Sequence, residues 1–172
     1  MSQQTQNLMK KISLAKVVLN MGVGKSGEPI EIGKKALEQI TGKKPNARNA
    51  KKAHRDWGVR KGEPIGIAVT VRGNDATELL KKLLVVKDNQ IAEKAFDNEG
   101  NLSFGIKEHI DIPGIKYDPK IGILGLEVSI SLARPGFNIK YNKSKAKVGK
   151  NHRIAKNDAI KFLTEEFGVK VV

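Results

Sequence analysis

The 172-residue chain contains no cysteine, which rules out disulfides, cysteine-ligated zinc and thiol catalysis together. It also lacks any apolar run approaching the roughly 20 residues a membrane span requires. The N-terminal MSQQTQNLMKK carries neither an apolar core nor a small-residue cleavage pattern. A soluble, cytoplasmic protein is expected. A basic surface can also meet an anionic membrane, but that needs bulky apolar residues opposite the cations of an amphipathic helix, and neither basic run has them. Catalytic constellations are missing as well. His54, His109 and His152 are scattered, Glu108-His109-Ile110-Asp111 lacks the helical spacing that puts two ligands on one metal, and no serine has a base at a telling distance. No catalytic residue and no metal site is assigned.

Acidic residues are lacking where basic ones gather. Lys43–Lys61, KKPNARNAKKAHRDWGVRK, holds eight Lys or Arg, the single acid Asp56, His54 and the protein's one tryptophan, Trp57. Burying several unpaired cations would cost several kcal/mol each, so this stretch belongs at the surface. A second run, Arg134–Lys156, holds eight more basic residues and no acid. The two runs contain 16 of the 32 basic residues and 1 of the 18 acids, leaving 130 residues with a net charge of −1. A charge run by itself is usually a solvated face. Two of them on a balanced body are the electrostatic footprint of a polyanion binder.

A chain of this length is expected to form one domain, residues 1–172, that buries about 70% of the surface exposed by the unfolded chain. Alternation predicts a strand over Leu14–Met21, with Ala15, Val17, Leu19 and Met21 on one face and Lys16, Val18 and Asn20 on the other. Gly22, Gly24 and Gly27 then spell Gly-x-Gly-x-x-Gly, the turn that can cradle a dinucleotide's phosphates. The acid that should follow about 20 residues later is missing, Asp56 comes too late, and Pro29 is expected to delay the helix. Lys25-Ser26 resembles a P-loop, yet Leu19 stands where that loop needs glycine. No cofactor is assigned. The turn is read as one whose glycines allow a backbone or an RNA to approach closely, and a nucleotide-dependent enzyme using it is the alternative.

Helices are predicted over Glu31–Thr41, with Ile32, Ala36, Leu37 and Ile40 on one side, and from an Asp75/Glu78 capping box through Leu84. A third is capped by Asn157 or Asp158, bears Ile160, Leu163 and Phe167, and closes at Gly168. Extended segments are expected near Asn46–Lys51, at Ile65–Val71, Leu102–Lys107 and Leu126–Ala133, with a basic loop over residues 52–64 and a long Pro/Gly-punctuated loop before Gly125. The fold class is α+β, a two-layer sandwich with helices on one face of the sheet. Its other face displays Asn20, Gly66, Ala68, Thr70, Ser103, Gly105, Ser129 and Ser131. Aromatic residues for stacking bases are absent from that set, which favours recognition of a folded RNA by shape and backbone over reading a single strand. Solvent or a partner sheet is the competing use of such a face.

Five segments in this order, KVVLNMGVG, ALEQITGKKPNARNAKK, GVRKGEPIGIAVTVRG, GNLSFGIKEHIDIPGIKYDP and GILGLEVSISLARPG, resemble the large-subunit ribosomal protein family that binds 5S ribosomal RNA, L-five in the bacterial scheme. The resemblance runs from about Ser13 to Val169. The basic extension 134–156 and the terminal helix resemble the archaeal and eukaryotic branch, whose eukaryotic member is numbered eleven; bacterial members lack this tail. The resemblance implies a mainly antiparallel sheet with helices on one side and an open concave face holding 5S RNA in the central protuberance, beside other protuberance proteins and large-subunit RNA. Asn20, Gly22 and Gly24 match the family's RNA-binding segment, and Thr70 and Ser129 lie where RNA would pass. With the cations Lys25, Lys43, Lys44, Arg48, Arg72 and Arg134 they form the expected rRNA-contact set. The 52–61 loop matches the one that reaches the peptidyl-site transfer RNA, with Arg55, Arg60 and Lys61 on phosphates. His54 or Trp57 stacks on a base or sugar there, or Trp57 docks on the sheet edge. Residues 112–125 resemble the part facing a small-subunit protein of the S-thirteen type in an intersubunit bridge.

Overall fold

A computed structural model describes residues 7–24, 26–115, 117–142 and 147–172. Its centre is β1, Ser13–Gly22, a strand long enough to pair on both sides. With β2 (Asn46–Asn49), β3 (Pro64–Val71), β5 (Leu102–Ile106) and β6 (Leu126–Ala133) it forms a sheet in the order β2-β3-β1-β6-β5, antiparallel at every pairing. Pro64 opens β3, where its missing N–H breaks no ladder bond in the strand interior. The expected alternation holds from Val17 onward, but a register shift between Leu14 and Lys16 breaks it at the start of β1. Leu14 therefore packs against the core, and Ala15, expected inward, lines a surface cleft with Lys16. Val17, Leu19 and Met21 of β1, Ile67, Val69 and Val71 of β3, and Leu126, Val128, Ile130 and Leu132 of β6 all point into one buried cluster.

Three helices cover that face. In α1, Glu28–Thr41, the buried residues are Ile30, Gly33, Ala36 and Leu37, so the inward stripe begins two residues earlier than expected and Ile32 is only half-buried. Pro29 does not delay the helix. It lies in the first turn, where backbone N–H groups lack intrahelical partners anyway, and Gly27 is the N-cap residue. Gly33 lets α1 approach β3 closely, since a Cβ there would stand 2.5 Å from Ile67 Cδ1. In α2, Asn74–Val85, the stripe Ala76, Leu79, Leu80, Leu83 and Leu84 is buried as expected. Fully burying each leucine contributes about 1.5–3 kcal/mol.

Two predicted caps are replaced. Gly73 precedes α2 without any side-chain cap bond, and Asp75 instead pairs with Lys43 at 2.7 Å. Ala155 precedes α3, Lys156–Phe167, again without a side-chain cap, and Asp158 accepts from Arg134. In both places a long cation from another element wins the carboxylate, because a charge-assisted bond is stronger than a local amide bond. Beyond α3, Gly168 turns the chain with φ 67°, and β7 (Lys170–Val171) lies parallel to β4 (Gln90–Ile91), a small second sheet absent from the sequence reading. Two-residue strands carry no periodicity to detect.

Candidate nucleic-acid interface

Strand register arranges the face away from the helices in rows. Arg48, Gly66 and Gly22 lie side by side; next come Asn46, Ala68, Asn20, Glu127 and Gly105; then Thr70, Val18, Ser129 and Ser103. Asn20, Gly22, Thr70, Arg48 and Ser129, expected as contacts from scattered stretches, are thereby brought onto one surface. Val18, turned to this side by the alternation of β1, sits in its centre. Asn46 and Glu127 join the expected residues here, and Glu127 places a carboxylate beside Asn20, whose amide Nδ2 donates to Glu127 Oε2 at 3.4 Å. The alternation of β6 already turned Glu127 outward, so that signal was present.

The glycine turn is tied to the sheet. The N–H groups of Val23 and Gly24 both donate to the Ile65 carbonyl, at 3.0 and 2.9 Å. Gly24 needs glycine, with φ 76°, whereas Gly22 has an ordinary φ and open space where a Cβ would stand. This strand is flanked by antiparallel neighbours, so the turn is not part of the parallel βαβ unit that dinucleotide binding uses. Lys25 lies outside the described residues.

Basic residues border the open face at one end. Lys16, Arg72, Ser131, Lys140 and the exposed Tyr141 line a shared cleft there. Lys44 and Arg48 are exposed, while Lys43 is drawn to Asp75. That pairing holds the Asp75 carboxyl below its ordinary value, chiefly through the hydrogen bond from Lys43. Arg134 behaves differently from the other cations. Its side chain is 11% exposed, with Nη2 on Asp158 at 3.0 Å and Nη1 on the Arg153 carbonyl at 3.2 Å, so the guanidinium ties the extension to the body. Geometry therefore gives Arg134 an anchoring place in the fold. Lys143 and Lys145 of the same basic run lie outside the described residues.

The 52–64 segment is a shaped hairpin, not a featureless loop. Ala50 and Glu63 face each other at its base, with the Ala50 N–H donating to the Glu63 carbonyl at 2.8 Å, and His54 pairs with Val59 through bonds of 2.9 and 3.0 Å. Gly58, φ 64°, makes the tight turn between them. Trp57 does not dock on the sheet edge. It is 75% exposed, and its ring lies 4.8 Å from that of His54 at 32°. Arg55, Arg60 and Lys61 are exposed around this aromatic pair. Glu63 links the hairpin to the glycine turn: one carboxylate oxygen accepts from the Ser26 hydroxyl and the other from the Arg60 N–H at 3.0 Å. These bonds, Ser26 first, hold the Glu63 carboxyl below its ordinary range.

The remaining predicted contact loop, 112–125, follows a short turn at His109–Asp111. His109 is buried, its N–H donates to the Leu124 carbonyl at 3.0 Å, and its Nδ1 accepts from the Leu124 N–H at 3.3 Å. Ile112 and Ile121 anchor the loop in the core, while Tyr117 and Ile123 are exposed. His54 and His152 lie apart from His109 in other segments, and among the described residues no group of His, Asp and Glu stands close enough to hold a metal ion. Among the described residues no helix is long and apolar enough to cross a membrane.

Two family models match the chain: "Ribosomal protein L5" over residues 7–60, and the model of the same ribosomal family's C-terminus over residues 64–164. They meet in the hairpin, although β1 from the first pairs with β3 and β6 from the second. The chain is 65% identical over 172 residues to a large ribosomal subunit protein uL5 of Nitrosopumilus maritimus, covering 99% of each chain. It is 58% identical over 165 residues to that of Cenarchaeum symbiosum, covering 95% and 98%, and 44% identical over 167 residues to that of Archaeoglobus fulgidus, covering 96% and 93%. These relatives are archaeal, agreeing with the branch that the basic extension resembles. Large subunits work in the cytoplasm, and the family's members are structural proteins, not enzymes. A sheet with one open face, cationic borders and full-length likeness to these proteins places this chain in the uL5 family, the rRNA-binding structural constituents of the large ribosomal subunit.

Proposed function

We propose that the open sheet face holds 5S ribosomal RNA and helps attach it in the central protuberance. The observation that carries this reading is the convergence of Asn20, Gly22, Arg48, Thr70 and Ser129 on one uncovered surface of mostly small side chains. A rigid duplex backbone can approach such a surface without displacing bulky groups, and hydroxyl and amide donors meet phosphate and 2′-hydroxyl oxygens. Lys44 and Arg72, with Lys16 and Lys140 at the cleft, supply the long-range attraction. If six to ten phosphates are contacted, 5S RNA affinity should fall roughly 10³- to 10⁵-fold between about 50 and 200 mM salt. A flat salt response overturns the reading.

The hairpin tip serves a second partner in this proposal, the peptidyl-site transfer RNA. Its exposed His54–Trp57 pair offers a ring for stacking, and Arg55, Arg60 and Lys61 surround it with phosphate-binding charge. The 112–125 loop, with Tyr117 and Ile123 exposed on a buried His109 anchor, is proposed to face the small-subunit bridge protein. Other protuberance proteins and large-subunit RNA complete the partner set.

A further inference from the structure

We infer that Glu127 is a base-reading residue that accepts the Watson–Crick edge of an unpaired guanine, a deepening that rests on the proposed RNA contact of the open face. Among the described residues of that face Glu127 is the sole acid, and it stands near the middle, opposite Asn20 and Gly105. Among the described residues no cation pairs with it, and its hydrogen bond comes from the neutral Asn20 amide. A carboxylate accepts hydrogen bonds and donates none, so against a phosphate backbone it only repels. Its presence on a polyanion-binding face calls for donors on the ligand.

RNA has few of them. The 2′-hydroxyl, the cytosine and adenine amino groups and the uracil imino group each offer a single donor site to a carboxylate. Guanine alone presents two parallel donors, N1–H and the N2 amino group, which match the two oxygens of a carboxylate as a guanidinium does. Asn20 complements this edge, because one amide N–H points to Glu127 and the second remains for an acceptor such as guanine O6. The surroundings admit a planar ring. Gly22 and Gly105 both have open space where a Cβ would stand, and Lys87 and Lys107 border the same groove, where they can meet the nucleotide's phosphate.

The test compares Glu127→Gln and Glu127→Lys with a helix-side control, Glu78→Gln, in binding to 5S RNA carrying randomly placed inosine, which lacks the N2 amino group. The expected result is an affinity roughly ten- to a hundred-fold lower for both Glu127 variants. With native protein, inosine at one position should also weaken binding, and that effect should vanish in Glu127→Gln. Plain electrostatics predicts the opposite sign, since Glu127→Lys adds favourable charge. Tighter binding by Glu127→Lys, or weaker binding with no position sensitive to inosine, overturns the assignment, the latter including a cation bridging Glu127 to phosphate. Failure of the broader reading looks different: native protein itself would show no salt-dependent affinity for 5S RNA.

Discussion

Arg134 Nη2 stands 3.0 Å from Asp158 Oδ2, joining the end of β6 to the first turn of α3. The same guanidinium holds the Arg153 carbonyl, so one side chain joins the end of β6, residue 153 and the start of α3. Asp158 is 41% exposed, which screens the pair, and Arg134 Nε is buried without a partner among the described residues. Arg134→Ala should therefore destabilise by about 1–3 kcal/mol, mainly by releasing Asp158 and the Arg153 carbonyl. Calorimetry should register a fall of roughly 3–10 °C in Tm. The salt slope of RNA binding should stay unchanged; a slope reduced by about one would make Arg134 a phosphate contact instead.

Gly22 and Gly24 should separate under substitution. Gly22→Val leaves the fold nearly intact, because its φ suits any residue and nothing occupies the Cβ position, yet the added branch projects from the open face. Its 5S RNA affinity should drop while Tm barely moves. Gly24→Val forces a β-branched residue to φ 76°, so there Tm falls by an amount matching about 1–2 kcal/mol or more. Parallel losses of Tm and affinity at Gly22 would reduce the turn to a purely structural role.

Replacing Arg55, Arg60 and Lys61 with Ala should leave Tm almost unchanged, since the hairpin's closing bonds are backbone ones and the three side chains are exposed. Most 5S RNA binding should survive. Transfer-RNA retention in the peptidyl site of reconstituted ribosomes should weaken, and the reverse pattern would show the hairpin serving the 5S surface.

Glu63 makes the hairpin base sensitive to acid. Its carboxyl is held below the ordinary 4.5 by Ser26 and the Arg60 N–H, so the ionised form is favoured in the folded chain. A depressed acid contributes its stabilisation fully above its unfolded value and loses it as pH falls through the folded one. Glu93 beside Lys156 and Asp75 beside Lys43 shift in the same direction and add to the same window. The Arg60 amide resonance should move as pH drops below about 4.5, and Glu63→Gln should abolish that titration. An Arg60 shift persisting in the variant would assign it to another group.

The sequence by itself determined most of the residues that face inward, because a period of 2 or 3.6 is written into each segment, while the register shift that turns Leu14 inward in β1 is not. Val17, Leu19 and Met21, or Leu79, Leu80 and Leu83, need no knowledge of their partners to be assigned to the core. The same periodicity, with the charge runs, marked the open face and the basic hairpin as surfaces. Local rules failed where a distant residue competed with a near one. Asp75 and Asp158 read as helix caps in the sequence, yet each is taken by a cation from another element, Lys43 and Arg134. Likewise, Ser26 and Glu63 lie 37 residues apart and become partners only after β3 folds back beside β1. Periodicity specifies a direction for each side chain, whereas register and chain crossing specify its neighbour. The adjacency of Asn20 and Glu127, 107 positions apart, was thus decided by tertiary structure alone.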